Sequence, residues 1–101
     1  MFKFVLIASL LAASHCAHAE SGTISPGARL AATCAACHGT GGDTKGQTLP
    51  PLSGQSQQAL SASLHAFKTG ARPSTIMAQI AKGYTDEQIE LLAAYFAAQK
   101  K

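Results

Sequence analysis

The apolar residues of this chain recur at helical intervals, and no stretch alternates in the manner of a strand. The last segment is the clearest. Ile89, Leu92 and Phe96 line one face, widened by Leu91 and Tyr95, and Thr85-Asp86-Glu87-Gln88 precedes them as a capping box. Asp86 and Glu87 complement the positive start of that helix, and Lys100 and Lys101 are expected to suit its negative end. Upstream, Leu60, Leu64 and Phe67 form one stripe at i, i+4 and i+7. That spacing predicts a helix from near Ser56, with Lys68 in its last turn and Gly70 at its exit. A short helix is predicted after Pro73, with Ile76 and Ile80 one turn apart. The first helix opens at Ser25-Pro26, a capping residue with proline at the first helical position. It runs through Leu30 and the alanines into a pair of cysteines. Residues 39–54, rich in Gly, Thr and Pro, read as an irregular loop. The pattern predicts an all-α domain of about four helices without internal repeats.

Residues 1–19 follow a different pattern. Lys3 gives a positive start, Phe4 to Ala13 is apolar without a charge, and Ala17-His18-Ala19 has the small-x-small form of a signal-peptidase site. The apolar run falls well short of the ~20 residues a membrane span needs. His15 before Cys16 departs from a lipidation site, which wants a small residue there. The expectation is a cleaved secretory signal over 1–19 and a soluble, periplasmic domain over 20–101, with no stable membrane insertion. A buried N-terminal helix is the structural alternative.

Cleavage would change both charge and cysteine arithmetic. Eight Lys and Arg less Lys3 leave seven against five Asp and Glu, a mild positive balance. No basic run or aromatic-basic interleaving suggests nucleic acid. Of three cysteines, Cys16 would leave and Cys34 and Cys37 remain, in an oxidising compartment. Much of the apolar content is alanine, which buries little area, so a domain this small needs a disulfide, metal or cofactor to complete it.

The candidate chemistry lies in Thr33-Cys34-Ala35-Ala36-Cys37-His38-Gly39. A zinc site needs four ligands, and this stretch supplies three at most. His65 does not make a fourth, because the helical spacing puts it with Ser61 and Lys68 on the polar face, as a solvated surface histidine. Thioredoxin-like exchange places Cys-x-x-Cys after a strand, whereas this pair follows a helix. Covalent haem attachment suits the motif: the two thiols add across the haem vinyl groups, and His38 offers an imidazole to the iron. Met77 is the only methionine besides Met1, placed where the chain can return over the opposite haem face. A methionine on a helix is also simply a core residue in many proteins.

These residues resemble class I c-type cytochromes, above all the haem domains of sulfide-dehydrogenase (flavocytochrome c) cytochrome subunits and related di-haem electron carriers. The resemblance rests on LAATCAACHGTGG, LPPLSGQS and AFKTGARPSTIMAQIAKGYTDEQIELLAAYF, in that order. It implies a small cytochrome c fold wrapped around one covalent haem c, with first and last helices crossing. It implies that Cys34 and Cys37 are thioether cysteines and that His38 and Met77 are the axial ligands. Pro50 would accept a hydrogen bond from His38 through its carbonyl, Leu52 would pack on the haem, and Leu92 with Tyr95 would meet the first helix. Leu30 stands where the wider family often has an aromatic residue. Some relatives carry two haem domains in tandem, and the expectation here is one.

The function expected is single-electron transfer between redox proteins, with no catalytic residues of its own. His/Met ligation fills both axial positions, whereas substrate chemistry needs an open one or a set of acids and bases. An alternative is the non-catalytic haem subunit of a flavoprotein sulfide dehydrogenase, and a third reading is a gas-binding haem sensor. Partners would be redox proteins, a flavoprotein subunit or a terminal oxidase among them. Lys45, Lys68, Arg72 and Lys82 flank the ligand-bearing segments, where they either steer an acidic partner or form an ordinary solvated surface.

Overall fold

The computed structural model describes residues 22–100. The expected signal segment and Lys101 lie outside them. Among the described residues all regular structure is helical, and no helix is long and apolar enough to cross a membrane.

α1 spans Pro26–Ala31, where Ser25 Oγ accepts from Ala28 N at 3.2 Å. A tighter 3₁₀ turn, Ala32–Cys34, leads directly into α2, Ala35–His38. Ala31, Ala32, Cys34 and Ala35 are all right-handed helical, so this is one path with one overwound turn. Thr33 Oγ1 donates to Leu30 O at 3.2 Å within it, a local bond that competes with the regular ladder. Gly39, at φ 83°, stops the path.

α3 is Gln57–Thr69, capped by Ser56 Oγ on Ala59 N and ended by Gly70 in the left-handed conformation. α4 is Met77–Lys82 and α5 is Asp86–Ala97. The expected capping box is present: Gln88 N donates to Thr85 Oγ1 at 3.1 Å, and Thr85 N to Gln88 Oε1 at 2.9 Å. α5 ends sooner than expected. Its last turn holds no basic residue, so Lys100 lies beyond the helix rather than on its negative end.

α5 packs against both α1 and α3, and α3 carries α4. The core is Ala31, Leu60, Leu92, Ala93 and Phe96, ringed by half-buried Leu30, Leu52, Leu64, Tyr84 and Tyr95. Among the described residues, the only large side chains fully enclosed are Ile89 and Leu92. At roughly 1.5–3 kcal/mol for each large apolar side chain fully buried, this core is a small reserve. Ile76 and Ile80, one turn apart by their spacing, are 66% and 40% exposed.

The polar face of α3 is not simply solvated. Ser61 Oγ donates to Glu90, His65 Nε2 lies 3.3 Å from Glu90 Oε1, and Lys68 Nζ is 2.9 Å from Asp86 Oδ1. His65 is therefore a partner in an α3–α5 polar seam, a correction to its expected place as a free surface histidine. Asp86 and Glu90 sit one turn apart on α5, as Ser61 and His65 do on α3, and the two rows meet.

Candidate functional site

The 3₁₀ turn that ends at Cys34 and α2 bring Cys34, Cys37 and His38 together, because Cys37 and His38 lie three and four residues after Cys34 on one helical path. Both cysteines are free thiols: Cys34 is half-buried beside the core and Cys37 is exposed. Burial pushes the Cys34 thiol up, and the neighbouring Thr33 side chain pulls more weakly the other way. A protonated thiol at Cys34 is thus favoured in the chain before any attachment.

His38 is buried, 8% exposed, and its Nδ1 lies 2.9 Å from the Pro50 carbonyl oxygen. A carbonyl only accepts, so Nδ1 carries the proton and Nε2 holds the lone pair. No buried side-chain nitrogen or oxygen among the described residues lacks a partner, and Nε2 makes no protein hydrogen bond, so Nε2 stays accessible. The ring is held with one nitrogen tied and the other offered. This is the arrangement a metal-bound imidazole requires.

The loop between α2 and α3 brings Pro50 to that position. Gly42 O accepts from both Leu52 N at 2.9 Å and Ser53 N at 3.2 Å, closing the loop on itself. Gly54 N then donates to Phe96 O at 3.3 Å, pinning the closed loop to α5. Leu52 is half-buried against the core, and Pro50 itself is exposed and contributes its backbone oxygen.

Met77 arrives by another route. It opens α4, half-buried, and its N–H donates to Ser74 Oγ at 3.1 Å. Ser74 thereby fixes the start of the helix one residue after Ile76. The donor set of two thiols, one imidazole and one thioether suits a haem bound by thioethers with nitrogen and sulfur on its iron. The chain's residues fit that group.

Sequence reasoning missed three positions. Gly27 lies at the closest approach of α1 to α5, Gly42 is the knot of the loop, and Thr33 bonds Tyr84. Only the Gly41-Gly42 pair carried a signal, as a doubled turn former; the other two depend on long-range packing.

The Cytochrome c family model matches residues 24–100. The chain is 45% identical over 74 residues to the cytochrome subunit of sulfide dehydrogenase of Chlorobaculum tepidum, covering 73% of this chain and 66% of that one. It is 43% identical over 67 residues to a thiosulfate dehydrogenase electron acceptor of Stutzerimonas stutzeri, covering 63% and 31%. With cytochrome c4 of Pseudomonas aeruginosa the identity is 37% over 84 residues, covering 83% and 41%. The chain thus spans less than two thirds of the length of each of these three relatives.

Proposed function

This chain belongs to the cytochrome c family, whose cofactor is covalently bound haem c, and we propose that it is a periplasmic, mono-haem carrier of single electrons. The observation that carries the reading is His38, buried, next to Cys37, with Nδ1 tied to Pro50 and Nε2 free. When bound, the haem supplies a one-electron couple at an iron that needs no open coordination position. The chain's residues do the rest. Cys34 and Cys37 would hold the group as thioethers, and His38 and Met77 would ligate its iron. The Pro50 carbonyl keeps His38 in the tautomer that offers the Nε2 lone pair. Leu52, half-buried against the core, would pack on the haem and help keep water from it, which would favour the less charged, reduced state.

Partners would meet the chain at Ala36 and Cys37, which are exposed where the attachment segment reaches the surface. Asp86 and Glu90 are engaged by Lys68, Ser61 and His65, which suits a structural seam rather than proton transfer in a reaction. Both features support a carrier without catalytic residues.

The test is spectroscopic and chemical. The mature holoprotein should show a mass increase of one haem that survives denaturation. Its oxidised form should show a Met-to-ferric-iron charge-transfer band, lost in Met77→Ala. Ready carbon monoxide binding to the untreated reduced protein would instead indicate an open iron and a gas-binding role.

A second reading is favoured by the 45% identity to the sulfide dehydrogenase cytochrome subunit. On it, this chain is the haem subunit of a flavoprotein oxidising sulfide. Copurification with a flavin-bearing protein from the native compartment decides for it. Recovery as a free protein that exchanges electrons with a terminal oxidase decides for the carrier.

A further inference from the structure

α4 has few anchors for a helix that bears a metal ligand. Of its six residues only Ala81 is buried, and an alanine contributes a single methyl group. Ile76 at its entrance and Ile80 in its middle are largely exposed. Ser74 fixes the first turn, and the exit runs through Gly83 to Tyr84, whose N–H donates to Ala81 O at 3.2 Å.

From that exit the Tyr84 side chain reaches back to the first helix. Its hydroxyl lies 2.9 Å from Thr33 Oγ1. Thr33 has one hydroxyl proton, donated to Leu30 O at 3.2 Å, so the Tyr84 O–H is the donor to Thr33. Among the described residues this is the only side-chain hydrogen bond between the first helical path and the segment from Ser74 to Tyr84. Thr33 directly precedes Cys34. The bond therefore joins the residue next to one attachment point to the exit of the helix that Met77 opens.

We propose that Tyr84 and Thr33 are positioning residues, a strap that holds α4 against the attachment helix and sets how readily Met77 leaves the iron. This rests on the reading of Met77 as axial ligand. Ser74 caps α4 locally, whereas the bond to Thr33 ties its exit to the attachment helix, so moving α4 away to displace Met77 must break or strain that bond. Without it, α4 still rests on α3 and its exit still runs into the α5 cap at Thr85, but no side-chain hydrogen bond ties it to the attachment helix. A net hydrogen bond of ordinary strength, lost only from the Met77-bound state, shifts that equilibrium roughly fivefold.

Imidazole, added to the ferric mature holoprotein, competes with Met77, and loss of the charge-transfer band reads out its binding. Tyr84→Phe keeps the packed ring, Thr33→Val keeps the shape, and Thr33→Ser keeps the hydroxyl. Tyr84→Phe and Thr33→Val should each bind imidazole roughly fivefold more tightly than wild type. Thr33→Ser should stay near wild type, and the double variant should go no further than either single one. Unmoved affinity in both single variants, or additive effects in the double, overturns the strap while leaving Met77 in place. A wild-type holoprotein with no charge-transfer band overturns the Met77 reading and the strap with it.

Discussion

A Cβ placed on Gly27 would stand 2.8 Å from the Leu91 carbonyl oxygen and 3.1 Å from Tyr95 Cβ. The helix that leads to the haem-attachment motif therefore meets α5 backbone to backbone at this point. A hydrogen in place of a side chain is what lets α1 approach.

Gly27→Ala tests that contact. In an unpacked helix the change gains up to ~1 kcal/mol of propensity. Here the Leu91 carbonyl cannot retreat without moving α5, so overpacking of about 1–3 kcal/mol should prevail. The holoprotein should melt several degrees lower, at about 4–8 °C for each kcal/mol. Gly22→Ala, with nothing within 4 Å, should leave the melt unchanged. An equal or higher melting point for Gly27→Ala would show that the helices can separate at no cost.

Gly42 and Gly46 make a matched pair. Both have positive φ, 79° and 76°, but a Cβ on Gly42 would meet Leu52 Cβ and Ser53 N at 2.8 Å, while one on Gly46 meets nothing within 4 Å. Gly46→Ala should cost only the left-handed backbone, about 1 kcal/mol. Gly42→Ala adds a clash inside the knot that carries Pro50, for about 3 kcal/mol or more. Denaturant midpoints measure both. Gly42→Ala should also disturb His38, seen as a shift of its ring resonances in the diamagnetic reduced protein. Gly46→Ala should not.

How much of this was legible depended on the range over which each feature is determined. Thr85 and Gln88 specify their own capping box, and Ser25-Pro26 specifies the start of α1, because partners three residues apart suffice. The site residues inside one turn were equally plain. The seam was not. Ser61 and His65 looked solvent-facing because a helical wheel shows which residues share a face, not what a second helix sets against it. Asp86, which the sequence assigns only to the start of α5, and Glu90, which it gives no role, form that second row. Gly27 and Thr33 depend on the same kind of long-range pairing. Ile76 and Ile80 lie one turn apart as expected, yet both are largely exposed among the described residues.

The seam predicts an acid limb. The hydrogen bond from Lys68, then its charge, hold the Asp86 carboxyl below its usual range, and Ser61, then His65, do the same for Glu90. Folded values below unfolded ones mean stability that is present above the unfolded carboxylate range, about 3.9–4.3. It is lost as pH falls through the lowered folded values. Both groups are exposed, so the effect is screened and small. Urea midpoints followed from pH 7 down to about pH 2 should drop less steeply in Asp86→Asn than in wild type, and the two should converge at the acid end. Parallel curves would mean that Lys68 gives Asp86 no preference for its charged form.

Basic residues near the site differ in what they have left to offer a partner. Lys45 is 3.3 Å from Asp43, and Lys68 is 2.9 Å from Asp86, so each is partly neutralised. Arg72 lies 4.7 Å over the Phe67 ring, which holds its position while keeping its charge. Lys82, exposed in the last turn of α4, makes no ion pair among the described residues. If an acidic partner is steered to the ligand-bearing face, Lys82→Gln should slow the bimolecular exchange rate at low salt about two- to threefold. Lys45→Gln removes the same unit of charge and uncovers the Asp43 carboxylate, so it should slow the exchange as well if the partner docks on that side. Stopped-flow rates with the native partner, taken at rising ionic strength, should converge for all three proteins as the charges are screened. Rates independent of both salt and Lys82 would assign these residues to an ordinary solvated surface and leave docking to the apolar rim around Cys37.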